Sequence, residues 1–369
     1  MGQYGRNEYA ILGTPCGAIQ RLAKQLAERL GKQYKMVWLD ADHAKADDAP
    51  TTGLLSKAFE LQYTDKITHH RFDVQTDLNA FHQRAYFNAA ELILINGNHF
   101  AGQRQIVVLD PRKTASLSRK LDRLTDVRLF LAVDDQPQIP DFLKEHLPNW
   151  AQIPIYQLDE TARIGDFLSQ ATQQQIAPIH GLVLAGGKSE RMGTDKSQLD
   201  YHGRPQREHV ANLLAPLCER CFISVRSSER QPASEHPYLP DTFTGLGPFG
   251  AIASAFREHP EAAWLVVACD LPLLDAQTLQ ILVEGRQPGR VATAFHNPMT
   301  DFPEPLICLW EPRSYPILLQ FLTQGYSCPR KVLINSDVAL LKAPNAKALM
   351  NANRPEEQEA ALAILAERK

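Results

Sequence analysis

The sequence predicts an α/β chain of two domains with mostly parallel sheets, and three observations carry that prediction. Short apolar runs of strand length recur along the chain and alternate with stretches of helical periodicity. The chain has 369 residues, enough for two or three domains that each bury a core. A polar, Gln-rich stretch from Ser169 to Pro178 interrupts the alternation, and its composition is that of a linker between domains at 1–172 and 178–369.

In the first half, Tyr9–Leu12 reads as a strand, followed by the loop Gly13-Thr14-Pro15-Cys16-Gly17. Ile19, Leu22, Leu26 and Leu30 then share one face of a helix that stops at Gly31. Met36–Asp40 is the next strand and ends in the acidic cluster Asp40-Ala41-Asp42-His43. Leu92–Ile95, Ile106–Leu109 and Leu129–Val133 are further strands, with Leu117, Leu121 and Leu124 lining a helix before the last of them. The strand, glycine loop and helix invite comparison with a P-loop, whose lysine reaches the β- and γ-phosphates and whose Ser/Thr holds Mg²⁺. Counted from Gly13, those two positions fall on Ile19 and Gln20, so the loop has the shape without the chemistry. His43, His69, His70 and His99 have no spacing that defines a metal site and read as surface or capping groups.

In the second half, Ile179–Leu184 is a strand that breaks into Ala185-Gly186-Gly187-Lys188-Ser189-Glu190-Arg191-Met192-Gly193-Thr194-Asp195-Lys196. The paired glycines let a ligand approach the backbone N–H groups, and three cations stand within one short loop. By itself such a loop is also what a solvated basic turn looks like. Gly203-Arg204-Pro205 starts a helix carrying Val210, Leu213, Leu214 and Leu217, and Cys221–Val225 is the strand after it. A long loop follows, holding Asp241 and Gly245-Leu246-Gly247-Pro248 ahead of another helix. Trp264–Cys269 is the most apolar strand of this half and ends at Asp270. A carboxylate there sits where ligands bind in open α/β sheets and suits Mg²⁺, which takes one or two carboxylates together with phosphate oxygens.

Joining a phosphorylated nucleophile to a nucleoside triphosphate brings two anions together. At ~4 Å and an effective dielectric near 20, each like-charge contact costs roughly 4 kcal/mol. A glycine loop with Lys188, Arg191 and Lys196, set against Asp270 and a metal, offsets that repulsion without a protein nucleophile.

Composition excludes other classes. Hydrophobic residues make up 44% and charged residues 22%, with a net charge of −3, so general electrostatic binding of nucleic acid is not expected. No apolar run approaches the ~18–20 residues of a membrane span. The N-terminus lacks a signal-peptide core, and Arg6 stands where a myristoylation motif needs Ser or Thr. A cytoplasmic protein without membrane contact is expected. Six sparse cysteines, including one Cys218-x-x-Cys221 pair, read as reduced thiols at a helix end running into a strand.

The segment Leu184–Lys196 resembles the L-A-G-G-x-S-x-R-M-G-x-D-K motif of the MobA-type molybdenum cofactor guanylyltransferases. Gly247-Pro248-Phe249-Gly250-Ala251-Ile252, Cys269-Asp270-Leu271-Pro272 and Asn351-Ala352-Asn353-Arg354-Pro355-Glu356-Glu357 resemble the family's later motifs in the same order. The likeness covers essentially all of residues 178–369. It implies a Rossmann-like nucleotidyltransferase fold and Mg²⁺-dependent transfer of GMP from GTP to molybdopterin, with release of pyrophosphate. It further implies that Leu184, Ala185, Gly186, Gly187, Lys188, Lys196, Asp241, Gly247, Pro248 and Asp270 bind the nucleotide. Lys196, Arg191 and Asp270 would be catalytic, and Asp270 would ligate the metal. Residues 1–172 resemble the MobB type through the loop at Gly13–Gly17, Asp40–His43 and Asn96–His99. Molybdoenzymes and other cofactor-biosynthesis proteins are the implied partners.

This chain departs from the family pattern at Phe249-Gly250, at Arg354 and at Pro303-Glu304-Pro305-Leu306, where the family has an H-P-L-type segment. His296, Asn297, Lys331 and Asn335 are candidate polar groups on the acceptor side. Two other functions stay open at the level of sequence. One is a nucleotidyltransferase using CTP or another phosphorylated acceptor; the other is a non-catalytic cofactor-binding or delivery protein.

Overall fold

The chain divides into two units, Met1–Gln175 and Ile176–Lys369. The computed structural model describes residues 4–41, 61–74, 78–185, 196–226 and 232–367.

In the first unit the strands are β1 (Glu8–Leu12), β2 (Met36–Leu39), β3 (Leu61–Asp65), β4 (His70–Val74), β5 (Leu92–Asn96), β6 (Arg104–Leu109), β7 (Val127–Ala132) and β8 (Ile155–Gln157). Six of them form one parallel sheet in the order β2-β5-β1-β6-β7-β8, and β3 and β4 form a separate antiparallel ribbon. The central strands β1, β5 and β6 are buried at every position, which is why they read as continuous apolar runs rather than as alternation. The helix Cys16–Leu30 buries Ile19, Leu22, Ala23, Leu26 and Leu30 against one face of the sheet, together with Ile164 and Leu168 of the helix Thr161–Gln173.

Two expectations need correction here. The stretch Ser169–Pro178 is not a linker throughout, since the last helix of the unit runs on to Gln173. Thr172 is buried there and bonds back to the Leu168 carbonyl, a contact that its polar composition hides. The apolar positions Leu117, Leu121 and Leu124 do not line one helix. Leu117 ends a single α-turn (Thr114–Leu117), Leu121 lies on a 3₁₀ segment (Ser118–Arg123) that breaks at Lys120, and Leu124 follows that segment.

In the second unit the strands are β9 (Ile179–Leu184), β10 (Arg220–Val225), β11 (Tyr238–Pro240), β12 (Ala263–Ala268), β13 (Ala292–Asn297), β14 (Phe302–Trp310) and β15 (Val338–Lys342). They form one sheet in the order β11-β10-β9-β12-β14-β13-β15, parallel except for β14, which runs against both neighbours. Its core gathers Leu182, Ile223, Val266, Cys308 and Phe295 from the sheet with Val210, Phe249, Phe256 and Leu279 from the helices. The mixed α/β architecture with mostly parallel sheets is therefore as the sequence predicts. Cys218 ends a 3₁₀ turn and Cys221 lies in β10, both as free thiols whose burial pushes them up, Cys221 to about 12. Among the described residues, no helix is long and apolar enough to cross a membrane.

Candidate functional site

The order of the second sheet creates a topological switch point. From β9 the chain crosses by the helix Gln206–Leu214 to β10 on one side, and from β12 it crosses by the helix Ala276–Glu284 to β13 on the other. Crossovers that diverge leave a crevice at the carboxyl ends of the two strands between them, here β9 and β12. The parallel register ends with Ala268 beside Leu184, so Ala185 and Asp270 emerge at that edge.

The loop carrying Asp270 is fixed through its carbonyl groups. The Asp270 carbonyl accepts the Ala352 N–H at 2.8 Å, and the Leu271 carbonyl accepts Gln206 Nε2 at 3.3 Å. His202 Nε2 meets the Pro272 carbonyl at 3.0 Å, and its ring stacks on His209 at 3.6 Å. Tyr201 completes the wall: burial raises its phenol, and the charge of Asp270 raises it further. The braces His202 and Gln206 were not foreseen from sequence, because nothing local marks a residue whose partner lies 65 or more positions away.

On the other side of β9, β11 delivers Asp241. Its N–H is paired with the Val225 carbonyl, and its Oδ1 accepts Ser224 Oγ at 2.8 Å. Burial raises this carboxyl above its ordinary value, against the opposing pull of Ser224 and Arg226. The loop after it is tied by Ser254 Oγ, which accepts from the Thr242 and Phe243 N–H groups and donates to the Gly250 carbonyl. Gly247 sits at φ 58°, ψ −142°, a conformation closed to other residues, and Pro248 opens the helix Pro248–Glu258. A Cβ at Gly250 would collide with the Phe243 carbonyl oxygen, so glycine suits this departure from the family pattern.

Of the other candidates, Lys196 opens a 3₁₀ turn, Lys196–Gln198. Gly186, Gly187, Lys188 and Arg191 lie outside the described residues. Asn351, next to Ala352, has a buried Oδ1 without a hydrogen-bond partner, while Glu357 caps the Asn353 and Arg354 N–H groups. Asn297 is buried and bonded to Glu304, whereas His296 is half-buried and bonded to Asp301. Lys331 lies over the Tyr326 ring at 3.3 Å, and Asn335 Nδ2 donates to the Lys331 carbonyl.

The first unit has a switch point of its own, between β1 and β6. Gly13 adopts φ +93°, and a Cβ there would strike the Val108 carbonyl oxygen. Thr14 Oγ1 donates to Asp110 Oδ2 at 2.7 Å, and Arg112 grips the same carboxylate with two N–H groups. The Arg112 bonds hold Asp110 down to about 2. Asp40 accepts Gln20 Nε2 and Asn96 Nδ2, which together outweigh the burial that would raise it. His99 is half-buried, and its Nε2 lies 3.3 Å from Cys16 Sγ. Ile19, at the position of a P-loop lysine, is fully buried in the core. Asp42 and His43 lie outside the described residues. Among the described residues, no group of three or more His, Cys, Asp or Glu side chains forms a metal-binding set.

Comparison with known proteins adds the following. The model of the MobA-like NTP transferase domain matches residues 181–339. A "Molybdenum cofactor biosynthesis bifunctional protein" of Synechocystis sp. is 36% identical over 182 residues, which are 49% of this chain and 52% of that protein. A "Probable molybdenum cofactor guanylyltransferase" of Nostoc sp. is 32% identical over 184 residues, 48% of this chain and 88% of the relative. A crystal structure of molybdopterin-guanine dinucleotide biosynthesis protein A from Archaeoglobus fulgidus covers 51% of this chain and 99% of its own, with 23% identity and a TM-score of 0.44. The sequence relatives decide the assignment: the chain belongs to the molybdenum cofactor guanylyltransferase family, with a MobA-like nucleotidyltransferase domain in its second half.

Proposed function

We propose that the second unit transfers GMP from GTP to molybdopterin and releases pyrophosphate. The observation that carries this reading is the convergence at one sheet edge of Ala185, which leads into the Gly-Gly-Lys sequence, Asp270 after β12, and the Asp241–Pro248 loop. A phosphate oxygen of the acceptor attacks the α-phosphorus of GTP, and the bond to the bridging oxygen of the β-phosphate breaks. A phosphate monoester is mostly dianionic at neutral pH, so the attack needs no protein base. Lys188, Arg191 and Lys196 supply the positive charge that the triphosphate and the leaving pyrophosphate require. Asp241, held by Ser224, contributes to holding the nucleotide on the far side of β9.

Mg²⁺ fits the residues present. Asp270 offers a carboxylate on a loop pinned by Ala352, and the buried, unpartnered Oδ1 of neighbouring Asn351 is a second hard oxygen. That is a donor set suited to an ion that completes its shell with phosphate and water. When bound, the ion would neutralise phosphate charge and align the triphosphate.

For the first unit we infer a MobB-like domain, residues 1–172, that does not hydrolyse nucleotide, ahead of the transferase domain at 178–369. Buried Ile19 in place of the lysine, and a loop threonine committed to Asp110, support this. The test of the whole is pyrophosphate release by the purified chain, which should require GTP, molybdopterin and Mg²⁺ together. Release with CTP and not GTP, or none beside a working related enzyme, would replace this reading with another donor or a delivery role. A melting-temperature panel over four NTPs reports donor choice independently, since selective binding stabilises the fold by mass action.

A further inference from the structure

We propose that Glu304 is the residue that selects a pterin on the acceptor side, by accepting hydrogen bonds from its 2-amino-4-oxopyrimidine edge. This rests on the reading of the second unit as a transferase acting on molybdopterin.

Glu304 is 4% exposed, yet among the described residues nothing neutralises it. Its Oε2 accepts Asn297 Nδ2 at 3.0 Å, and its Oε1 faces the Leu306 N–H at 3.5 Å. No lysine, arginine or histidine among the described residues pairs with it. Glu311, just past the other end of the same strand and 1% exposed, shows the usual arrangement. Arg286 grips both its oxygens, at 2.7 and 2.9 Å. A buried carboxylate held by amides alone costs stability, and a carboxylate has about four lone-pair sites, of which these two contacts occupy two.

The fold places Glu304 at the ligand edge. Because β14 runs antiparallel to β12, with Ile307 opposite Val267, Glu304 and Pro305 lie beyond the carboxyl end of β12, where Asp270 emerges. Against β13 the register slips from Ala294↔Cys308 to His296↔Pro303, so Glu304 sits in a β-bulge, flanked by Pro303 and Pro305, which have no N–H for the ladder. The strands that carry the donor side, β9 with Ala185 at its end and β11 with Asp241 after it, lie on the opposite side of β12 in the strand order. Glu304 therefore belongs to the acceptor half.

A pterin presents N3–H and the exocyclic 2-amino group side by side as two donors, which a carboxylate accepts as a fork. Lumazine, with oxygen in place of the 2-amino group, presents one donor and one acceptor and so meets a repulsive contact. Glu304→Gln keeps an acceptor for Asn297 and exchanges one carboxylate oxygen for a donor, which inverts the match. The experiment is fluorescence titration of the full chain and of E304Q with pterin and with lumazine, in the presence of GTP and Mg²⁺. The wild type should bind pterin at least ~10-fold more tightly than lumazine, and E304Q should lose or reverse that preference. In turnover, E304Q should raise the acceptor KM by a similar factor while leaving the GTP KM close to wild type and the melting temperature no lower. Equal affinity for the two heterocycles, an unchanged preference in E304Q, or a rise confined to the GTP KM would overturn the proposal. A chain that discriminates pterin through Glu304 but releases no pyrophosphate would instead refute the transferase reading and leave the recognition standing.

Discussion

The two halves of this chain present the same kind of edge, a switch point at the carboxyl ends of buried parallel strands, and use it in opposite ways. In the first unit the polar groups at that edge satisfy one another. Thr14 and Arg112 occupy Asp110, Gln20 and Asn96 occupy Asp40, and Lys120 Nζ donates to the Asn98 carbonyl at 3.0 Å. In the second, among the described residues, several groups are held in place and less fully compensated: Asn351 Oδ1 has no partner, the carboxyl of Asp241 is raised by burial, and Glu304 has no cation beside it. Topology creates the crevice in both cases. What separates them is whether the chain completes its own hydrogen bonds there, because a ligand gains little from groups that are already bonded.

The largest effect should follow removal of the carboxylate on which the open edge is centred. Asp270→Ala leaves the Ala352-to-Asp270 backbone bond intact, so the loop should keep its course. Turnover should fall roughly 100- to 1000-fold, as when a group that stabilises transition-state charge is deleted. Steady-state pyrophosphate release measures it, with a melting curve as the folding control. A variant with wild-type kcat would mean that Asp270 holds no metal and that the two edges differ less than their hydrogen bonds indicate.

The converse experiment asks whether the closed edge can be opened. Ile19→Lys places a lysine where a P-loop carries one, in a position with no exposed surface. An unpaired ammonium in that core costs several kcal/mol. The first unit should therefore melt earlier or lose its cooperative transition, with no gain in GTP binding by titration calorimetry. A folded variant that binds or hydrolyses GTP would show that the loss of the lysine alone closed this edge.

These contrasts were legible in the sequence to different degrees. Strands buried on both faces, such as β5 and β12, announce themselves as apolar runs, and the switch-point residues Ala185 and Asp270 follow from where those runs end. Asp241 stands out through its likeness to a family acid ahead of the Gly-Pro loop, but its partner Ser224 lies in a strand whose alternation looks purely structural. The ribbon β3–β4 went unseen because its large apolar residues, Leu61, Tyr63 and Phe72, are exposed, so the pattern does not mark a buried face. Glu304 was visible only as a departure from a motif. Its place at the sheet edge depends on a bulge between strands, which no periodicity encodes. His202 and Gln206 act through carbonyl groups of a distant loop, and such contacts carry no side-chain signature at either end.

The smallest effect tests whether the open edge is maintained at a cost to the fold. Asp241 has its carboxyl raised above the ordinary 3.8 by burial, so folding disfavours its charged form. The sign follows from linkage: the penalty is complete above the folded-state value and vanishes as pH falls below the unfolded one. Asp241→Asn keeps an oxygen for Ser224 Oγ and removes the charge. It should raise the melting temperature by a few degrees at pH 7 to 8, and the gain should shrink toward zero near pH 4. Nucleotide binding should weaken in the same variant, since the oxygen retained for Ser224 leaves no anionic acceptor for a ligand donor. A variant less stable than wild type at pH 8 would mean that Asp241 is already compensated within the chain, and that this side of the crevice is as closed as the edge around Asp110.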